Sequence, residues 1–196
     1  MRKKTNFFKE NYLKSWKYLK ETKSFIWIIV ILFFVSALIG FFVPIPDGLQ
    51  KTILDYLGQI LERTQGMSQM ELIWFILFNN LQSGFFGMIF GFLLGFFPVI
   101  ITLVNGYVLG YVSSVTVSSA GTSSLLNLLP HGVFELPAIF ISLGLGLKFG
   151  TFIFRKNKGE SFRDFLINSV RVFVFIVIPL LIIAAIIEGG LIFLIK

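Results

Sequence analysis

The chain has 196 residues, 56% of them hydrophobic and only 14% charged, with a mean hydropathy of +0.86; soluble domains carry about 25% charged residues, so a water-soluble globular fold is excluded. No cysteine is present, which excludes disulfides, thiolate metal sites and thiol nucleophiles. The net charge of +7 does not point to nucleic acid, because the basic residues lie beside apolar runs, where they set membrane orientation and meet anionic lipid.

Residues 1–23 are basic and amphipathic. Phe8, Tyr12, Trp16 and Leu19 fall on one helical face, while Lys9, Lys17 and Lys20 lie largely elsewhere. The pattern predicts a helix on the cytoplasmic membrane surface, the alternative being a solvated leader. No cleavable signal peptide is expected, because the first apolar run starts only near Ser24 and is too long for one. Residues 24–46 are uncharged and match the ~20 residues a spanning helix needs; this first span should stop at Pro44 and Pro46. Residues 47–70 are polar, with Leu49, Ile53, Leu57, Ile60 and Leu61 at helical spacing. An external amphipathic helix capped by Asp47 is predicted there.

Between Glu71 and Glu135 lie 63 residues without one Asp, Glu, Lys or Arg. Lipid is the solvent for such a stretch, and it has room for about three passes at ~20 residues each. A second span is expected at 72–97, a tight turn at Pro98, and a third span at 98–118. The small polar residues up to Asn127 read as a loop. Pro130 suits the first turn of a fourth span at 130–154. Ser161-x-x-Asp164 resembles a capping box opening a fifth span at 165–190. The amides of Asn79-Asn80 leave open a break that would make the second span partly re-entrant. With the N-terminus inside, 14 of the 17 basic residues fall on the cytoplasmic side, and only Lys51, Arg63 and Lys196 fall outside. The asymmetry predicts a cytoplasmic N-terminus and an external C-terminus in the cell membrane. The expected fold is all-α: a polytopic membrane protein of about five transmembrane helices in one domain (24–196), behind an amphipathic interfacial helix (1–23).

Three spans carry ladders of small residues at spacing four: Asn79, Ser83, Gly87, Gly91, Gly95; then Thr102, Gly106, Gly110, Ser114, Ser118; then Ala138, Ser142, Gly146, Gly150. Such ladders let helix backbones approach closely, which drives association where lipid removes the hydrophobic effect between helices. The partner could lie in the chain or in a second copy. The third ladder extends backwards, since Glu135 precedes Ala138 by three residues and His131 precedes Glu135 by four, placing both on the small-residue face. Asn79 lies on the first ladder, and Asn105 adjoins Gly106. A polar cluster of Asn79, Asn80, Asn105, His131 and Glu135 on packing faces is therefore predicted.

Three chemistries compete for that cluster. A carboxylate and an imidazole four residues apart could share a metal or pass a proton. Zinc catalysis wants three protein ligands, however, and His131 is the only histidine; no serine sits in a nucleophile elbow. No metal, cofactor or enzymatic activity is expected. An intramembrane carboxylate with amides also furnishes ion or solute pathways. The third possibility is structural: the polar residues fix helix register and assembly, each contact contributing about 0.6 kcal/mol.

Asn79-Asn80, the glycine ladder to Gly95, Asn105-Gly106 with Gly110, and above all Pro130-His131-Gly132-x-x-Glu135 with Ala138 resemble the stage II sporulation protein M family. The resemblance implies an integral membrane protein of about five spans. In spore formers it further implies a scaffold that works with cell-wall-degrading partners during engulfment. The external loop 47–70 is too small for a wall-binding or hydrolytic segment, so that role does not transfer without the partners. The expected function is a non-enzymatic membrane scaffold or assembly subunit, self-associating as a dimer or joining other membrane proteins through its Gly/Ser faces. The alternative is a small transporter or channel using Glu135 and His131.

Overall fold

The computed structural model describes residues 7–43, 45, 47–123, 125 and 129–195, with side chains described for all of these except 47, 49, 129–134 and 193–195. Among the described residues every regular element is helical, and five helices are long and apolar enough to cross a membrane.

Helix α1 runs from Phe7 to Phe42. The interfacial helix and the first span, expected as separate elements on either side of residue 23, are thus one unbroken helix. The reason is local: no glycine or proline occurs from residue 7 to residue 39, and nothing else relieves the helical hydrogen bonding. The prolines at 44 and 46 follow its end. Helix α2 (Asp47–Thr64) is the amphipathic helix predicted between the first two spans; its proposed cap Asp47 is the first residue, and that side chain lies outside the described residues. Gly66, at φ 77°, takes the left-handed turn into helix α3 (Gln69–Ile89). A capping box starts α3: Glu71 N–H donates to Ser68 Oγ at 3.4 Å, and Ser68 N–H donates to Glu71 Oε2 at 2.8 Å. Asn79-Asn80 do not interrupt α3, which is continuous.

A 3-10 turn (Phe90–Phe92) closes α3, and helix α4 (Phe96–Ala120) follows at once. The reversal is therefore at Leu93–Gly95 and not at Pro98. Proline is accommodated as the third residue of α4, where its missing N–H would have had no intrahelical partner. Leu94 and Gly95 both adopt positive φ, 58° and 72°, a conformation that costs an L-residue with a Cβ roughly 1–2 kcal/mol. Leu94 is also 67% exposed, so little packing compensates. Leu94→Gly is expected to raise stability by about 1 kcal/mol, read as the midpoint of detergent-titrated unfolding; an unchanged or lowered midpoint would refute the strain.

Helix α5 (Leu129–Phe149) ends in a 3-10 turn (Gly150–Phe154). Helix α6 (Lys158–Val172) passes through one π-helical turn (Phe173–Val177) into helix α7 (Ile178–Ile195). Pro179 explains the widened turn, because it cannot donate to the Phe175 carbonyl. The capping box expected at Ser161-x-x-Asp164 is not the start of this helix. Asn157 is the N-cap, its side chain donating to Glu160 Oε2 at 3.2 Å, and Ser161 already lies within α6.

Helix α5 is the hub, packing on α1, α3 and α7. One core joins Leu72, Ile76 and Met88 of α3 to Ala138 and Leu145 of α5 and to Phe173, Val177 and Leu181 beyond. A second joins Ile29 and Phe33 of α1 to Phe140 and Leu143 of α5. Helix α4 packs along α1 rather than along α3, and that choice shapes the site.

Candidate functional site

The glycines of the small-residue ladders are packed within the chain. A Cβ at Gly91 would fall on the Gly146 carbonyl, one at Gly146 would lie 2.5 Å from the Gly87 carbonyl, and one at Gly150 would strike the Gly95 amide. Gly87, Gly91 and Gly95 thus form one seam with Gly146 and Gly150, bringing α3 and α5 to backbone contact. The ladder of α4 turns elsewhere. A Cβ at Gly106 would strike the Phe33 carbonyl and one at Gly110 the Ala37 carbonyl, while Gly40 faces Tyr107 in return. Ser36 Oγ donates across this second seam to the Leu103 carbonyl at 2.6 Å. The pattern that marks the α1 partner, Ser36-Ala37-x-x-Gly40, is itself a small-residue ladder in the sequence.

These seams leave a gap. With α3 bound to α5 and α4 bound to α1, the facing surfaces of α3 and α4 stand apart, and a cavity of about 570 Å³ lies between the helices. Asn79, Asn80 and Ser83 of α3, Thr102 and Asn105 of α4, Glu135 of α5 and Glu188 of α7 line it, and the apolar face of α2, with Leu57, Ile60 and Leu61, borders it. Four of the five polar residues expected to cluster (Asn79, Asn80, Asn105 and Glu135) therefore share one cavity. The fifth, His131, lies on α5 one turn before Glu135, and its side chain is outside the described residues.

Burial divides the lining. Asn80 and Glu135 are each 7% exposed, whereas Asn79, Ser83 and Asn105 are exposed, so they sit on an open side. Some polarity is spent on the helix itself: Thr102 Oγ donates to the Pro98 carbonyl at 2.6 Å, and Asn105 Nδ2 to the Ile101 carbonyl at 2.8 Å. Charged groups at membrane depth are rare and are held facing a protein interior or a water-filled cavity. Glu135 meets that description, and Glu188 joins it from α7. The signal for Glu188 was available: it is the first ionisable residue after the uncharged run 172–187.

At the opposite end of α5, Lys148 is 7% exposed. Its Nζ lies 3.7 Å from the centroid of the Tyr18 ring, 3.3 Å from Thr22 Oγ and 3.8 Å from Glu21. The amino-terminal part of α1 is therefore fastened to the bundle by a cation over an aromatic face.

A sequence profile of the family described as Stage II sporulation protein M matches residues 29–191. No curated protein and no solved structure matches.

Proposed function

We propose that this chain, which belongs to the stage II sporulation protein M family and is a multi-pass membrane protein, binds and passes a small polar or cationic solute through the cavity at Glu135. One observation carries this reading: polar side chains from four helices line a single cavity instead of interlocking in a packed seam. Glu135 and Glu188 supply negative charge, the amides of Asn79 and Asn80 supply donors and acceptors, and apolar walls raise the strength of each interaction by excluding water. On this reading α2 lies on the external side, as the distribution of basic residues implies, and covers the outer mouth.

Membership of the family favours a second reading, a non-enzymatic assembly subunit. The exposed amides of Asn79 and Asn105 support it, because polar groups facing lipid are costly and a partner helix would cover them. The ladder glycines are already in contact within the chain, so a dimer or a partner complex would use this open side instead.

The absence of cysteine gives a direct test. Asn79→Cys and Asn105→Cys in proteoliposomes should react with a membrane-impermeant maleimide, and a cationic solute should slow the labelling. Labelling that no solute slows, but that is blocked in native membrane by a co-purifying protein, would favour assembly and reject solute passage.

A further inference from the structure

A second cavity, of about 360 Å³, lies between the amino-terminal half of α1 and α6, lined by Lys14, Lys17, Tyr18, Glu21, Asn168 and Arg171. We propose that it is a binding site for a phosphate-bearing anion, filled in the membrane by the headgroup of an anionic phospholipid.

The argument starts from Arg171. Its Nε donates to Asn11 Oδ1 at 3.0 Å and its Nη1 to Asn168 Oδ1 at 2.6 Å. Asn168 is held in turn by its Nδ2 donating to the Asp164 carbonyl at 2.8 Å, and Asn11 by its Nδ2 donating to the Phe7 carbonyl at 2.9 Å. Two neutral amides thus fix the plane of the guanidinium without neutralising it, and three of its five N–H donors take no part in those bonds. A guanidinium held in this way is matched to a phosphate.

The surrounding charge agrees. The lining carries three cations (Lys14, Lys17, Arg171) and one acid (Glu21). Behind the cavity Lys148 lies 3.8 Å from Glu21, and at its edge Glu10 pairs with Lys14. Counting both outer partners gives four cations against two acids, so an excess of two positive charges remains. The Glu10–Lys14 pair is about half exposed on both sides, and such pairs open at little cost.

Position selects the source of the phosphate. Arg171 is the last charged residue before the uncharged run 172–187, and Lys23 the last before 24–46, so the cavity lies where the apolar spans begin. Tyr12 and Trp16, 46% and 42% exposed, flank Lys14 and Lys17 along α1, the aromatic setting of a membrane interface. Basic pockets between helices at this depth suit lipid headgroups. The α1 wall lies outside residues 29–191, the part matched to the family, while Asn168 and Arg171 lie within it.

The test uses the full chain in detergent micelles doped with phosphatidylglycerol or phosphatidylcholine, with bound lipid counted by native mass spectrometry. Phosphatidylglycerol should be retained in preference to phosphatidylcholine. Lys17→Gln, an exposed position that leaves the α1–α6 contacts intact, should weaken retention about fivefold, and Lys14→Gln with Lys17→Gln about twenty-five-fold. Arg171→Gln should abolish the preference. Displacement of phosphatidylglycerol by millimolar inorganic phosphate would assign the site to soluble phosphate; resistance to it would assign the site to lipid. Equal retention of the two lipids by the unmodified chain, or an unchanged preference in the double lysine variant, would overturn the proposal.

Discussion

Glu135→Gln is expected to reduce solute uptake by proteoliposomes about 10- to 100-fold while the purified protein keeps its helix content and its elution volume. Glutamine preserves the size and most of the hydrogen-bonding capacity of the side chain but removes its charge, and hydrogen bonds to a charged group contribute about 1.5–3 kcal/mol. Glu135 is buried on the central helix α5 and lines the cavity, so its charge reaches any occupant through little water. Asn80→Ala, on α3 in the same lining and equally buried, should act in the same direction by a smaller factor, as a neutral partner contributes about 1 kcal/mol. Full uptake by the Glu135→Gln protein would end the transport reading. A protein that unfolds on this substitution alone, with Asn80→Ala unaffected, would assign Glu135 to helix register instead.

Gly110→Ala and Gly91→Ala should each destabilise the bundle by about 1–3 kcal/mol. A methyl at either position falls on a backbone carbonyl of the facing helix, Ala37 for Gly110 and Gly146 for Gly91. A backbone cannot swing aside as a side chain can, so two helices must separate along their whole seam. Gly58→Ala supplies the contrast: a Cβ there meets nothing within 4 Å, it sits inside α2, and removing glycine from a helix should stabilise by about 0.4–1 kcal/mol. Thermal unfolding in detergent separates the two classes. If Gly91→Ala and Gly58→Ala shifted the midpoint alike, the close seam between α3 and α5 would be wrong.

The two seams also fix how far the sequence could be read. The ladders were visible as periods of four, and the structure buries Gly87, Gly91, Gly106, Gly110 and Gly146 as that spacing requires. Their pairing was not visible, because a small-residue face fits any other small-residue face. Helix α4 could have met α3, α5 or a second copy; it met α1, whose Ser36 and Gly40 complete the seam. Boundaries failed where a local signal had two meanings. Pro98 can follow a turn or occupy a first helical turn, and Ser161-x-x-Asp164 can cap a helix or sit inside one. The cluster was legible for Asn79, Asn80, Asn105 and Glu135, which polar residues in an uncharged stretch single out, but no spacing along one helix brought Glu188 to the same cavity or Lys148 to Tyr18.

The sequence alone determined that this chain is a helical membrane protein of the stage II sporulation protein M family, with glycine ladders on helix-packing faces. Those properties follow from the solvent each residue meets and from the helical period, both of which are local. The tertiary structure alone decided that α4 leaves α3 for α1, and so that the polar faces border a cavity instead of closing on one another. That outcome depends on which surfaces fit most closely in three dimensions, which no spacing along one helix encodes.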